Sequence, residues 1–512
     1  MVPAGAVPTG KTWSDAGRLI DWFLLLCIAL GVLVGAVLFF APYDLIADEG
    51  EYLDEIVSLA RGEPKGWIIR SFVYPVLLAP AVLIADALGF DDPESLTHAA
   101  RLLNWVPPWL SAALAYAIAA RVHSRRAGFL AAIFLLCSWA WILNARRVMM
   151  DVPSAFWLIA ALYFLLLGAD RPRNVVLAVV AGSMAVFTKF QSAPATAMIG
   201  LLLIAAPSAR GVRLRNLGLA ALTAAGMLII YAAVDVATYG TPFISIIEFV
   251  RYNFSGEEFV AQYGACESLL YYATEGPANV YSYLFPLFFV AGAAVCLTSN
   301  TGSRLVLLVA AAQLLALHLT CHKQTRYLVQ IAPMLAIIGS LGLMWMMDRL
   351  HHRLRLVHPT RRGGGSAAKH VTALVFLTLL AATLVSFVPR NEVGKIITAR
   401  ATCRTFVQAV LQNADPNLKT QRIALVAPCD VPRYYAEGWS VDGLSQGHND
   451  YTRARKLAQF RASAPSYAMI VLDTGSPPER VLREEWSSSF SVLARSPDGA
   501  YVAYVRNPAA TE

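Results

Sequence analysis

Long apolar runs, separated by short polar and basic segments, dominate the chain. The first, residues 20–42 (IDWFLLLCIALGVLVGAVLFFAP), is long enough to cross a hydrocarbon core of ~30 Å as an α-helix. It is too long for the core of a signal peptide and lacks a small-residue cleavage site, so we expect it to be retained. Further apolar runs occur near residues 72–90, 102–120, 127–145, 152–169, 174–190, 191–207, 216–238, 279–298, 303–320, 327–347 and 371–388. The pattern predicts an α-helical protein that crosses the membrane many times.

The run at 72–90 decides the topology, because whether it crosses the membrane sets the side of every later segment. Its crossing is in question because it contains Pro75, Pro80 and Asp86. If this run stays at the outer surface, the short cytoplasmic loops carry 15 Lys and Arg residues and the opposite loops carry 6. If it crosses the membrane, the two totals exchange sides. Cytoplasmic loops normally carry the excess of basic residues. We therefore expect about 11 spans, with the N-terminus inside and the C-terminus outside.

This topology divides the chain into three parts. We expect a cytoplasmic tail at 1–19, a membrane domain at 20–388 and a small extracytoplasmic α/β domain at 389–512. The α/β prediction comes from three strand-like runs, RIALVAP, YAMIVLD and AYVAYVRN, which alternate with helical stretches near 400–413 and 450–462.

Two large outer segments belong to the membrane domain, residues 43–101 and 239–278. In the first of them, apolar residues recur at helical spacing and predict a surface helix: Leu53, Ile56, Val57 and Ala60. The polar residues off that face are expected to be in contact with water: Glu51, Asp54, Glu55 and Arg61.

Composition agrees with a membrane protein, since 57% of the residues are hydrophobic and 15% are charged. Soluble domains carry roughly 25% charged residues. The net charge of +8 lies in short loops between spans, which argues against a nucleic-acid-binding surface. The Ala- and Arg-rich composition, with no ER-retention signal, favours a bacterial inner membrane over the ER membrane.

Six acidic residues lie in the segment YDLIADEGEYLDE at 43–55, directly after the first span. Asp48 is close to the end of that span, where a partly desolvated carboxylate is suited to deprotonating a hydroxyl nucleophile. The alternative is that Asp48 and Glu49 only stabilise the N-terminus of the following helix.

The segment HKQTR at 322–326 places three cationic or titratable side chains at the start of a late span. His322, Lys323 and Arg326 are suited to surrounding a phosphate at the level of the lipid headgroups. The spacing predicts that His322 and Arg326 share one face of a helix. Cations at a membrane surface also serve simply to anchor a helix end.

Two further charged residues are expected on the same outer face. Lys189 lies between two apolar runs, and because a Lys in the bilayer costs roughly 2.5–3.5 kcal/mol it must reach water, a partner or a ligand. Asp151 in RRVMMDVPS either stabilises the start of the next helix or pairs with Arg146 or Arg147.

Several of these stretches resemble the GT-C glycosyltransferases, which use polyprenyl-phosphate sugars. Asp48-Glu49 in IADEGEY, RSFVYP at 70–75 and HKQTRY at 322–327 resemble the dolichyl-phosphate-mannose-dependent branch. The D-E-x-x-Y pattern, SRRAGFLAA at 124–132, RRVMMDVP at 146–153 and VFTK at 186–189 resemble bacterial protein O-mannosyltransferases and aminoarabinose transferases. The stretches follow the family's order over about residues 20–390. Two departures are Ile46-Ala47 before Asp48, where the family has His-Pro, and YGACESLLYY at 263–272 in place of an aromatic-rich motif.

The resemblance implies an enzyme that transfers a sugar, mannose or similar, with inversion from a polyprenyl-monophosphate donor to a lipid-linked, glycan or protein hydroxyl. It implies that Asp48, with Glu49 beside it, is catalytic. It assigns the donor phosphate to a cationic set: His322, Lys323, Arg326, Arg70 and Lys189. Asp151 and Tyr263 are assigned to the acceptor side. A divalent ion near Asp48 is compatible with this chemistry but not required by it, and no other cofactor is implied.

A different class of function is a secondary transporter, or a flippase-like protein, for an anionic or lipid-linked solute. Such proteins usually contain repeated halves and helices broken at the middle of the bilayer. The notable polar residues of this chain are instead expected at one membrane face.

Overall fold

The computed structural model describes residues 15–40, 47–62, 71, 73–205, 209–254, 268, 270–274, 284–320, 323–357, 364–386, 403–426, 439–444, 450–497 and 499–507. The apolar runs form helices, together with shorter helices between them. These are α1 (Asp15–Phe40), α2 (Ala47–Ala60), α3 (Val73–Ala87), α4 (Pro93–Asn104), α5 (Val106–Val122), α6 (Arg125–Cys137), α7 (Trp139–Ala145), α8 (Asp151–Leu166), α9 (Pro172–Thr188), α10 (Ala193–Ala205), α11 (Arg210–Tyr239), α12 (Ile244–Phe254), α13 (Tyr271–Thr274), α14 (Phe285–Thr298), α15 (Thr301–Leu319), α16 (Ala332–Val357) and α17 (Gly364–Ser386).

Three of the expected spans are not single α-helices. The run at 127–145 is divided at Ser138, whose hydroxyl accepts the N–H of Trp141 and begins α7. A 3-10 helix, Phe190–Ser192, separates Lys189 from α10, and another, Thr325–Ile331, precedes α16. The two 3-10 helices are in segments that contribute residues to the site described below.

Four helical stretches of the described chain are long and apolar enough to cross a membrane: Pro93–Val122, Arg210–Tyr239, Thr301–Leu319 and Arg326–Leu354. Shorter apolar helices occupy most of the other expected spans. Helix α3, in the doubtful run 72–90, has 15 residues and contains Pro80. At ~1.5 Å per residue it is roughly 22 Å long, which is less than the ~30 Å of a hydrocarbon core. Helices α6, α10 and α14, in other expected spans, are no longer than α3, so length does not distinguish them. The non-crossing topology and the total of about 11 spans remain predictions.

The membrane domain has a continuous apolar core centred on α6 and α8. Leu130, Ile133 and Phe134 of α6 and Leu158 and Ile159 of α8 are fully buried. Helix α11, by contrast, exposes large apolar side chains along much of its length. An exposed apolar face of this kind is expected where a helix contacts lipid.

Helices α2, α3 and α4 share a second, smaller apolar core with residues 148–150. The predicted apolar face of α2 is confirmed, because Leu53, Ile56 and Val57 are buried in that core. The prediction for Glu55 is wrong: its side chain is only 7% exposed, so it does not belong to the wet face. Helical periodicity placed it off the apolar stripe, but α2 is covered on more than one side.

The C-terminal segment contains α18 (Cys403–Asn413), α19 (Asp450–Ser463), α20 (Pro477–Glu485) and five strands: β1 (Arg422–Val426), β2 (Ser440–Leu444), β3 (Met469–Asp473), β4 (Phe490–Arg495) and β5 (Tyr501–Arg506). The strand order is β2-β1-β3-β5-β4. Strand β1 is parallel to both of its neighbours, whereas β5 is antiparallel to β3 and β4. The three strand-like runs form β1, β3 and β5. Strands β2 and β4, which form the two edges of the sheet, were not predicted. The sequence of β2, SVDGL, has little apolar character.

Candidate active site

The first ion pair of the site joins Asp48 to Arg326. Asp48 is in the first turn of α2, and Arg326 is in the 3-10 helix that precedes α16. Their carboxylate and guanidinium groups form a short salt bridge, and the two side chains are 21% and 22% exposed. Residues that are 278 positions apart in the chain therefore meet at a partly accessible position, as the candidate chemistry requires.

The second ion pair joins Asp151 to Lys189. Lys189 Nζ is 2.5 Å from Asp151 Oδ1, and the side chains are 6% and 1% exposed. Of the alternatives for Lys189, the structure supports a protein partner over contact with water. Of those for Asp151, it shows a partner different from the expected Arg146 or Arg147, although Asp151 is also the first residue of α8.

Tyr327 connects the two ion pairs. Its ring centroid is 4.6 Å from Lys189 Nζ and 5.7 Å from the guanidinium carbon of Arg326. A cation within about 6 Å of an aromatic ring is attracted by the ring's quadrupole. Lys189 also interacts electrostatically with Asp48 and Arg326, so the two pairs form one charged cluster.

Lys189 is presented at a break between two helices. Its backbone is extended (φ −153°, ψ 112°), and it ends α9 and begins the 3-10 turn at 190–192. Buried amide groups support this break: Gln313 Nε2 donates to the carbonyl of Gln191 at 2.5 Å, and Gln313 Oε1 accepts the N–H of Ala195 at 3.3 Å. The hydroxyl of Ser192 contacts Gln330 Oε1 at 3.3 Å, which links the break to the 3-10 helix that carries Arg326.

Glu49 has a different environment from its neighbour Asp48. Its side chain is fully buried, and Oε1 accepts the backbone N–H of Val148 at 2.7 Å. Sequence reasoning grouped Glu49 with Asp48 as catalytic. That assignment stays a prediction, and in the structure the carboxylate binds the backbone of the segment that leads to Asp151.

The local structure expected for HKQTR is wrong in one respect. Lys323 and Gln324 precede the helix, and Gln324 is extended (φ −141°, ψ 142°), so no helical turn relates position 322 to Arg326. Lys323 is 4% exposed, and its Nζ donates to the carbonyl of Thr320 at 2.6 Å. His322, Arg70 and Tyr263 lie outside the described residues, so their assignments remain predictions.

Within the described ranges, no group of three or more His, Cys, Asp or Glu residues is arranged to hold a metal ion. Asp48 is paired with a guanidinium group. A divalent ion near Asp48 therefore stays a prediction.

Sequence reasoning missed two sets of residues near the site. The first is the set of buried amide and hydroxyl side chains around the helix break at Lys189: Ser192, Gln313 and Gln330. Its only signal in the sequence is Gln313, a polar residue within an apolar helix. The second is a polar stripe on α4, formed by Thr97, Arg101 and Asn104, all of them buried. Its signal was available, because positions i, i+4 and i+7 lie on one helical face.

The geometry places the Asp48 carboxylate against Arg326 and in electrostatic contact with Lys189, and Asp48 and Arg326 are partly accessible. Such an arrangement suits a reaction that needs both a proton acceptor and stabilisation of an anionic leaving group. Comparison of the fold and sequence with known proteins defines the class further.

Solved structures of polytopic membrane glycosyltransferases have the same fold. The apo structure of ArnT from Cupriavidus metallidurans superimposes with a TM-score of 0.60 at 14% identity, covering 96% of this chain and 99% of ArnT. Its complex with undecaprenyl phosphate gives 0.59 at 14% identity, covering 95% and 98% of the two chains. The archaeal oligosaccharyltransferase AglB from Archaeoglobus fulgidus, in complex with an inhibitory peptide and a dolichol-phosphate, gives 0.53 at 12% identity and covers 96% of this chain and 75% of AglB. Comparison with curated protein sequences finds no match.

The fold is therefore that of an integral membrane protein of the GT-C glycosyltransferase class. Within that class, the sequence profile of the Alg9-like mannosyltransferase family matches residues 66–435. The chain belongs to this family, and it is a glycosyltransferase.

Proposed function

We propose that this enzyme transfers mannose or a similar hexose, with inversion, from a polyprenyl-monophosphate donor to an acceptor hydroxyl at the outer face of the membrane. The observation that carries the proposal is the pairing of Asp48 with Arg326 beside the buried Lys189–Asp151 pair. The lipid phosphates bound by ArnT and AglB support the donor class. A bacterial inner membrane, with a cell-envelope glycan, lipid or protein as acceptor, is the setting that we favour.

In this mechanism the acceptor oxygen attacks the anomeric carbon of the sugar while the bond from that carbon to the phosphate oxygen breaks. The hydroxyl proton passes to the Asp48 carboxylate, and the bonding electrons leave with the polyprenyl monophosphate. A single displacement of this kind inverts the anomeric configuration. Arg326, together with Lys323 and Lys189, stabilises the negative charge that develops on the leaving phosphate.

Arg326 has two anionic partners in this scheme. One is Asp48, with which it is paired in the structure. The donor phosphate brings a second negative charge to the same guanidinium, which has enough N–H groups to bind both anions. Sharing Arg326 in this way weakens its hold on Asp48 and makes that carboxylate a better proton acceptor when the donor is bound.

The test is transfer by the purified protein, reconstituted in liposomes, from radiolabelled polyprenyl-phosphate mannose to envelope extracts. We expect the donor to be consumed.

Arg326→Gln is expected to raise the dissociation constant for the donor by about 10- to 100-fold, because a charge-assisted hydrogen bond contributes ~1.5–3 kcal/mol. Arg304→Gln is the matched control, since Arg304 is exposed and its Nε donates to the carbonyl of Leu297. If the polyprenyl-phosphate mannose is not consumed, the proposed donor is refuted. Donor affinity unchanged in Arg326→Gln would contradict the phosphate assignment.

The orientation of the site is a separate prediction. Cys403 is disulfide-bonded, and disulfides persist in oxidising compartments outside the cytoplasm. This supports an extracytoplasmic C-terminal domain. We expect a membrane-impermeant maleimide to label a cysteine at Thr325 in intact cells, and to label one at Arg125 only after permeabilisation. Labelling of both positions from the same side would refute the topology.

A further inference from the structure

The segment Arg146–Val148, which joins α7 to α8, is bound through its backbone by side chains of two outer helices. Arg101 Nε of α4 donates to the carbonyl of Arg146 at 3.0 Å, and Asn104 Nδ2 of α4 donates to the carbonyl of Arg147 at 2.5 Å. Glu49 of α2 accepts the N–H of Val148 at 2.7 Å. Each of three consecutive non-helical residues, Arg146, Arg147 and Val148, thus has one backbone polar group bound by a side chain.

These contacts are deeply buried. Glu49 is 0%, Arg101 1% and Asn104 2% exposed. Asn104 is held in turn by Tyr74, whose hydroxyl donates to Asn104 Oδ1 at 3.0 Å. Burying charged groups is costly unless they are hydrogen-bonded, so side chains of this kind specify a particular geometry for the segment that they bind.

The position of the segment connects the two ion pairs of the site. Glu49 follows Asp48 directly, and Val148 precedes Asp151 by three residues. The hydrogen bond from Val148 to Glu49 therefore joins the helix that carries Asp48 to the helix that begins with Asp151. A displacement of this segment changes the distance between the Asp48–Arg326 and Asp151–Lys189 pairs.

We propose that Glu49, Arg101 and Asn104 form a clasp that sets the relative position of the two ion pairs, with Glu49 acting as a hydrogen-bond acceptor and not as an acid or base. The clasp residues are positioning residues, which act through Asp48 and Asp151. This inference rests on the proposed glycosyl transfer. It predicts effects on turnover from side chains that the substrates do not touch.

The first test compares Glu49→Gln with Glu49→Ala in the transfer assay. The amide of Gln keeps an oxygen for the Val148 N–H, so we expect at most about a fivefold loss of kcat and a pH–rate profile of unchanged shape. Ala removes the acceptor, and because a displacement of ~1 Å costs about 100-fold in rate, we expect a loss of about that size with little change in the donor KM. If Glu49→Gln is as inactive as Glu49→Ala, or alters the pH profile, Glu49 is an acid or base and the proposal is overturned.

The second test compares Asn104→Ala with Asn216→Ala. Asn216 is a matched control: it is fully buried, and its Nδ2 donates to the carbonyls of Ala169 and Leu203, near the ends of α8 and α10 that are remote from Asp151 and Lys189. We expect both substitutions to lower the Tm and only Asn104→Ala to lower kcat, by about 100-fold. Equal kcat in the two variants, with an active wild type, would refute the clasp. An inactive wild type would refute the proposed function instead.

Discussion

Asp48→Asn is expected to lower kcat for sugar transfer by about 100- to 10,000-fold, the range that general-base catalysis contributes. The amide has nearly the same shape as the carboxylate but cannot accept the proton of the acceptor hydroxyl. The measurement is the initial rate of transfer from radiolabelled polyprenyl-phosphate mannose, with donor and acceptor both saturating.

The same substitution is expected to have little effect on folding. Asp48 and Arg326 are 21% and 22% exposed, and a partly solvated ion pair contributes ~1 kcal/mol or less. Thermal unfolding of the purified variant therefore distinguishes a catalytic defect from a folding defect. Donor affinity is expected to stay the same or increase, because Arg326 is released from its carboxylate partner.

Asp86→Asn is the matched control, since Asp86 is an exposed acid of α3 in the same outer segment. We expect wild-type turnover from this variant. A protein with Asp48→Asn that transfers sugar as fast as the wild type would overturn the assignment of Asp48, and Asp151 would become the carboxylate to test next.

The largest effect on stability is expected from Gly342→Ala. Helices α14 and α16 approach through reciprocal glycines: a Cβ at Gly342 would overlap the carbonyl oxygen of Phe288, and one at Gly292 would overlap that of Ile338. Small residues at such crossings let two membrane helices come into backbone contact. Because the obstacle is backbone and not a flexible side chain, the helices must separate, and we expect a loss of about 3 kcal/mol or more in the free energy of unfolding.

This substitution is also expected to lower activity, because the 3-10 helix that carries Arg326 leads directly into α16. The measurements are the Tm in detergent, followed by tryptophan fluorescence, and the transfer rate of the folded fraction. Gly226→Ala in α11 is the control, since a Cβ there meets no atom within 4 Å. A Tm for Gly342→Ala that matches that of Gly226→Ala would show that the two helices tolerate separation.

Several parts of the site were predictable because the residue types are unusual for their surroundings. Asp48, Asp151, Lys189 and Arg326 are charged residues next to long apolar runs, and a charge in that position requires a partner or a ligand. The predicted topology placed all four on one face, and in the structure they form one charged cluster. The pairing itself was not predictable: Lys189 was expected to bind the donor phosphate, and its partner in the structure is Asp151.

The errors have physical causes. Periodicity assigned Glu55 to the wet face of α2, because a helical pattern identifies the most apolar face and does not show whether other elements cover the rest. Helical spacing was likewise applied to residues 322–326, although the α-helix begins only at Ala332 and a 3-10 helix begins at Thr325. The burial of Glu49 was also not predictable, since nothing in a pair of adjacent acids tells which one is buried.

By itself, the sequence determined that this is a polytopic helical membrane protein, with an acidic stretch after the first span, a cationic segment before a late span and an α/β domain at the end. Those properties depend on the local hydrophobic pattern, which controls where each helix begins and ends. Only the tertiary structure decided that Asp48 pairs with Arg326, that Asp151 pairs with Lys189 and that Glu49 binds the backbone of Val148. Each of these contacts joins residues 38 or more positions apart, and such contacts depend on how the helices pack and not on the order of residues within any one of them.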